Sequence, residues 1–240
     1  MKKLIVITGA TSGFGKEMAL MFNEMGHPLL LIGRRIELLQ DLNLDHCLIE
    51  KVDVTDYQQL TSAIDKAETI YGETDLLINN AGVMLLGNVD TQDPVEWRTM
   101  FDTNVLGVLN GMQAVLPKMK KRNSGTIINI SSIAGFKSFL NHSAYCGSKY
   151  AVHAISETTR NEVSSNNVRI CLISPGAAET DLLTHTTNEG IIEGYNAWKE
   201  QMGGTTLDPK EIANSAKFIY EMPQDVTIRE IVLAHTKQDN

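Results

Sequence analysis

The chain has 240 residues, 42% of them hydrophobic, and a formal net charge of −8. That length suits a single α/β domain with a well-buried core, and the acidic balance argues against nucleic acid and anionic membrane as partners. No apolar run approaches the ~20 residues of a membrane span, and three scattered cysteines, Cys47, Cys146 and Cys171, argue for a reducing cytoplasm and against a disulfide framework or zinc site.

The first residues, Met-Lys-Lys and a short apolar run, have the look of a secretory leader. The run is too short and Thr8-Gly9 follows at once, so it reads as a first strand over 4–8. Further strand-like runs follow at 29–32, 47–52, 76–79, 126–130, 169–174 and 228–233. Helical spacing fills 16–25, 57–70, 95–120 and 144–163. Nearly all-apolar strands alternating with helices predict an α/β fold whose parallel sheet is covered on both faces. One domain over 1–240 is expected, because no repeat or linker interrupts the rhythm. Only 182–206 breaks it, with several Gly, Thr and Asn residues around Tyr195 and Trp198. An insertion there falls at the carboxyl ends of the strands, where open α/β sheets bind ligands. It reads as a substrate lid, or as a surface excursion of two short helices.

The first strand runs into Thr8-Gly9-Ala10-Thr11-Ser12-Gly13-Phe14-Gly15 and then a helix. Glycines in such a turn let backbone N–H groups approach a pyrophosphate at a helix N-terminus; they also occur for packing alone. The second strand ends Gly33-Arg34-Arg35, with no acid between Glu24 and Glu37. A carboxylate there accepts the ribose 2′-OH of NAD, whereas guanidinium groups suit a 2′-phosphate. NADP(H) is therefore expected, with Arg34 the main contact and Arg35 in support; the alternative is two solvated arginines. Asp53, beside Val54, is placed to accept from the adenine amino group or to close a turn. Asn79-Asn80-Ala81-Gly82 ends the fourth strand with residues small enough to pass close to a nucleotide, while Asn79 equally suits a structural tie.

Ser132 ends the fifth strand. Tyr145 and Lys149 stand four residues apart on one helix face. A lysine ammonium beside a phenol, joined by the positive ring of oxidised nicotinamide, is expected to lower the phenol's pKa from ~10. Tyr145 then exchanges a proton near neutral pH, with Ser132 holding the substrate oxygen. The six histidines show no paired metal-ligand spacing, and no metal is expected; His142 is expected at the edge of the substrate pocket.

Taken together, Thr8-Gly9 with Gly13-Phe14-Gly15, Asn79-Asn80-Ala81-Gly82, Asn104, Ser132, Tyr145-x-x-x-Lys149, Pro175-Gly176 and Thr180 resemble the short-chain dehydrogenase/reductase family over nearly the whole chain. Phe14 departs from the smaller aliphatic residue usual there. The resemblance implies a doubly wound Rossmann domain with a seven-stranded parallel sheet and the catalytic set Asn104, Ser132, Tyr145 and Lys149. The asparagine sustains a water-linked proton relay, the lysine also binds the nicotinamide ribose, and the 175–180 turn orients the carboxamide. A homotetramer is also implied, pairing the helices over 95–120 and 144–163. The C-terminal third is similar to NADP-dependent 3-hydroxy acid and serine dehydrogenases, which suggests a small alcohol or carbonyl substrate. A carboxylate substrate wants a cation in the lid, yet 175–204 holds no Arg and only Lys199, so a general aldehyde or ketone reductase is an equal expectation. A cofactor-sensing regulatory protein is the reading from another class; such proteins often lose part of the catalytic set, which is complete here.

Overall fold

A computed structural model of the chain describes residues 2–238; the ends of the expected domain, Met1, Asp239 and Asn240, lie outside the described residues. Seven strands form one sheet: β1 (Leu4–Thr8), β2 (Leu29–Gly33), β3 (Cys47–Lys51), β4 (Thr74–Asn79), β5 (Gly125–Ile130), β6 (Val168–Pro175) and β7 (Glu230–Leu233). They lie in the order β3-β2-β1-β4-β5-β6-β7, and every pairing is parallel. The doubly wound α/β fold and seven-stranded parallel sheet are as expected. β1, β2, β4, β5 and β6 are buried at every residue, as helices on both faces require. The edge strands β3 and β7 are partly exposed.

Alternate residues serve opposite faces. Leu4 and Val6 point into a core with α3 (Tyr57–Tyr71), α5 (Gly107–Arg122) and α6 (Ser143–Val163). Ile5 and Ile7 point into the other, against α1 (Gly13–Glu24), α2 (Ile36–Gln40) and α8 (Pro209–Glu221). A third cluster joins Met84, Met100, Tyr145 and Ile191 beneath the segment that holds α7 (Glu189–Gln201). The winding reverses between β1 and β4, which opens a crevice at the carboxyl ends of the strands.

The structure corrects two expectations about helices. The region 95–120 is not one helix. α4 (Pro94–Phe101) passes into a π-helical turn, Asp102–Leu106, before α5 begins. The wider turn faces Asn104 inward at 1% exposure; its Oδ1 accepts from Val83 N at 2.8 Å and its Nδ2 donates to Val83 O at 2.9 Å. α8 was not expected from apolar spacing, although Asp208-Pro209 is a readable start: Asp208 accepts from Lys210 N and Pro209 takes the first helical position. In the rhythm-breaking segment, a 3-10 turn (Asp181–His185) precedes α7. Two short helices are present, and they lie over the crevice.

Candidate active site

A cavity of 1210 Å³ opens at the carboxyl ends of the strands, larger than the ~300–1,000 Å³ usual for one small ligand. Its floor at one end is the glycine turn. Gly9 and Gly13 adopt φ of +66° and +51°, a region that L side chains rarely enter. Gly15 lies behind the turn and does not line the cavity. A Cβ there would stand 2.3 Å from Gly9 O, so its part is close packing rather than the expected cofactor contact. Asn80 Nδ2 donates to both Thr8 O and Gly9 O at 3.0 Å, which ties the end of β4 to the turn. Ser12 is the N-cap of α1 but makes no side-chain cap bond. The first-turn N–H groups are therefore available to an anion.

Thr11, Ser12, Gly13 and Phe14 line this end, and so do Arg34 and Arg35. Arg35 Nη2 donates to Thr11 Oγ1 at 3.0 Å and Ser12 Oγ at 3.2 Å. Both arginines are exposed, and Arg35, expected in support of Arg34, is the one bonded to the turn. Asp53 lies two residues beyond β3 and its Oδ1 accepts from Thr55 N and Oγ1, closing a turn at the cavity wall next to Val54. Ala81 and Gly82 line the wall beside Asn80. Asn79 Nδ2 donates to Asn129 Oδ1 at 2.9 Å, a buried tie between β4 and β5. Open N–H groups, glycines whose Cβ atoms would collide and two arginines fit the phosphates of a dinucleotide.

The other end is chemical. Ser132, Tyr145 and Lys149 line it together. Tyr145 is 5% exposed. Burial pushes its phenol well above the ordinary value, and the hydrogen bond with Ser132 opposes this only in part. The expected lowering by lysine is absent. Lys149 Nζ lies 5.8 Å from the Tyr145 ring centroid and donates to Ile130 O at 3.0 Å. Burial lowers Lys149 itself to about 8. Desolvation of two buried groups outweighs their attraction. Ser132 Oγ accepts from Ala134 N at 3.1 Å. Asn104 does not line the cavity; besides Val83 it bonds Ser148 Oγ at 3.0 Å, behind the helix face that carries Tyr145 and Lys149.

His142 lies at the pocket edge as expected, 6.2 Å from the Tyr145 ring and 6.5 Å from Tyr195 between centroids. Its Nδ1 meets Leu140 O at 2.6 Å. A carbonyl only accepts, so Nδ1 carries the hydrogen. Burial lowers its pKa, and Nε2 is an acceptor in the neutral ring.

Tyr195 and Trp198 pack edge to face at 5.4 Å and line the cavity with Leu182 and Leu183. Met202, in the same segment, is buried and does not line it. Thr180 caps the 3-10 turn through Leu182 N, and a Cβ on Gly13 would lie 3.2 Å from Thr180 Cγ2. The start of this segment therefore touches the glycine turn. Pro175 and Gly176 line the wall between them. Glu179 Oε2 accepts from Lys199 Nζ at 3.0 Å and Thr206 Oγ1 at 3.2 Å. Thr186 Oγ1 accepts from Leu86 N at 3.1 Å and donates to Met84 O at 3.3 Å. Sequence reasoning missed Thr186, Glu179 and His185. Their partners are distant in sequence, and no local spacing signals them.

Fold and site together are those of a doubly wound α/β domain whose cavity opens beside a glycine-rich helix start. Residues 3–190 match the short chain dehydrogenase model, and the chain belongs to that family. It is 36% identical over 242 residues to an uncharacterized oxidoreductase of Staphylococcus saprophyticus, covering 98% of this chain and 97% of that one. Among solved structures it is similar to the closed form of serine dehydrogenase complexed with NADP+, at TM-score 0.91 and 28% identity over 99% and 96% of the two chains. Serine dehydrogenase from Escherichia coli follows at TM-score 0.84 and 27% identity over 99% and 100%. Among the described residues no helix is long and apolar enough to cross a membrane.

Proposed function

We propose that the chain is an NADP(H)-dependent reductase of small carbonyl compounds, running in reverse as an alcohol dehydrogenase. The observation that carries this is one cavity holding Ser132, Tyr145 and Lys149 at one end and Arg34 and Arg35 at the other. NADP+ in the similar serine dehydrogenase supports the cofactor. When bound, the cofactor supplies the hydride, and in its oxidised form a positive ring. Ser132 holds the substrate oxygen. Tyr145 gives its proton to that oxygen as the carbonyl is reduced, and a buried, protonated phenol is the state this step requires. Lys149, buried and poised at about 8, binds the ribose and replaces the proton. Asn104 holds the relay side of the site in place.

The pocket walls favour an apolar substituent on the carbonyl. Leu182, Leu183, Ile191, Tyr195 and Trp198 line it, while Lys199, the segment's one long cation, is held by Glu179. A 3-hydroxy acid or hydroxy amino acid is the second reading, favoured by the likeness to serine dehydrogenase. Consumption of NADPH across aldehydes, ketones and 3-oxo acids tests the two. Uncharged carbonyls are expected to give the higher kcat/KM; preference for oxo acids, with serine oxidised by NADP+, establishes the second. No turnover on any substrate, with tight NADPH binding, establishes a regulatory sensor. The lid reading for 182–206 draws support from Leu182, Leu183, Tyr195 and Trp198, which line the cavity from this segment. We place the protein in the cytoplasm, which suits three cysteines free of disulfides. A homotetramer is supported by Phe101, Leu106, Leu109 and Tyr150, apolar and exposed along α4, the π turn, α5 and α6.

A further inference from the structure

His185 closes the 3-10 turn Asp181–His185 and lines the same cavity as Arg34 and Arg35. Its Nδ1 is buried and has no hydrogen-bond partner among the described residues. A buried donor or acceptor without a partner is uncommon in a folded protein. Arg34 and Arg35, at the junction of β2 and α2, and Asp181, in its own turn, act on its ring electrostatically. Arg35 is fixed to Thr11 and Ser12, so its guanidinium does not swing away to relieve the ring. Two arginines and an unsatisfied imidazole outnumber the one carboxylate, Asp181, beside them in this cavity, a charge balance that suits an anion. The turn that carries His185 starts at Thr180, against Gly13, so its first residue adjoins the glycine turn in the same cavity.

We propose that His185 is a third donor to the 2′-phosphate of NADP(H), carried to it by the lid. This rests on the NADP(H) reading above. The phosphate then does two things: it selects the cofactor, and it holds the first turn of the lid down before substrate arrives. NADH, lacking the phosphate, leaves that turn without its anion. The linkage has a definite sign. Burial and the two arginines hold the free ring below its ordinary value, with Asp181 opposing. A phosphate dianion beside it raises the value, so binding takes up a proton. Affinity therefore increases as pH falls through the bound-state value, and the gain ends below the free-state value. The phosphate's own protonation near pH ~6 sets the lower limit of a clean reading.

Calorimetric titrations at pH 6.5 and 8 test this with 2′,5′-ADP, 5′-AMP, NADPH and NADH, on wild type, His185→Gln and His185→Ala. In wild type, 2′,5′-ADP and NADPH are expected to bind more tightly at pH 6.5, with proton uptake that varies with buffer ionisation heat. Both variants are expected to lose about tenfold for these two ligands at pH 6.5, the worth of one charge-assisted hydrogen bond, while NADH is unchanged. The steeper pH dependence disappears with the imidazole. Equal losses for NADPH and NADH place His185 on the pyrophosphate and overturn the proposal, as does no loss at all. Wild-type protein that binds 2′,5′-ADP no better than 5′-AMP overturns the cofactor reading and this inference with it.

Discussion

Tyr145 and Lys149 are buried ionisable groups, and their titration follows from burial. Replacing Tyr145 with Phe keeps the ring and removes the transferable proton. Activity is expected to fall ~10²–10⁴-fold with NADPH affinity unchanged, measured by steady-state turnover beside cofactor titration. Near wild-type turnover assigns the proton to another group. Lys149 titrates at about 8, below its ordinary 10.5. The unfolded chain binds the extra proton between those values, so this group's penalty is complete below pH 8 and is relieved as pH rises toward 10.5. Lys149→Met is therefore expected to unfold at higher temperature than wild type at pH 7, by an amount on the order of 3 kcal/mol. The gap should narrow by pH 10, and catalysis should be lost throughout. Thermal melts at the two pH values check this; a variant less stable at pH 7 denies the penalty. The two arginines are expected to differ in what they do for the cofactor. Arg34→Ala should weaken NADPH by about tenfold or more and spare NADH. Arg35→Ala should weaken both, because Arg35 also holds Thr11 and Ser12. Two dissociation constants per variant decide it. Residue types and spacing made Ser132, Tyr145 and Lys149 legible in the sequence. They did not reveal which arginine is anchored, nor the raised phenol, because both depend on neighbours that only the folded chain supplies.

Elements were legible where apolar periodicity is strong. All seven strands were visible as runs, the five inner ones because a strand covered on both faces is apolar throughout. The π turn was invisible because its cause is Asn104 reaching Val83, a contact between separate elements. α2 is five residues long, too short for a helical period to show. The segment above the pocket had only its composition to mark it, yet its aromatics reach the substrate end. Trp198 packs on Tyr195, which lies against His142. Trp198→Ala is expected to raise KM or alter substrate preference with NADPH affinity unchanged. Kinetics across the carbonyl panel measure this, and unaltered constants assign Trp198 to packing alone.

For the molecule as a whole, the exposed apolar residues of α4, the π turn, α5 and α6 lie close together. Phe101 would stand 3.4 Å from a Cβ on Gly147, one turn before Tyr150. Exposed apolar patches of this kind mark association surfaces. Light scattering is expected to give a tetramer for wild type, and Leu106→Arg with Tyr150→Arg is expected to give smaller species with an intact far-UV spectrum. A wild-type monomer at micromolar concentration denies the assembly.

The strand order carries a consequence for biosynthesis. β1 leaves the ribosome ahead of the other six strands and lies inside the sheet, between β2 and β4. The glycine turn, Arg34, Asp53 and Asn80 all precede residue 83, whereas Ser132, Tyr145 and Lys149 emerge later and the segment above the pocket later still. The nascent chain thus holds the glycine turn and both arginines before its chemical end is made, while Lys149, Thr180 and the other later contacts expected for the cofactor are still to come. A ligand that binds only the folded form stabilises it by mass action, so NADP(H) is expected to hold the early and late halves of the chain together once both have been made, each half contributing contacts to it.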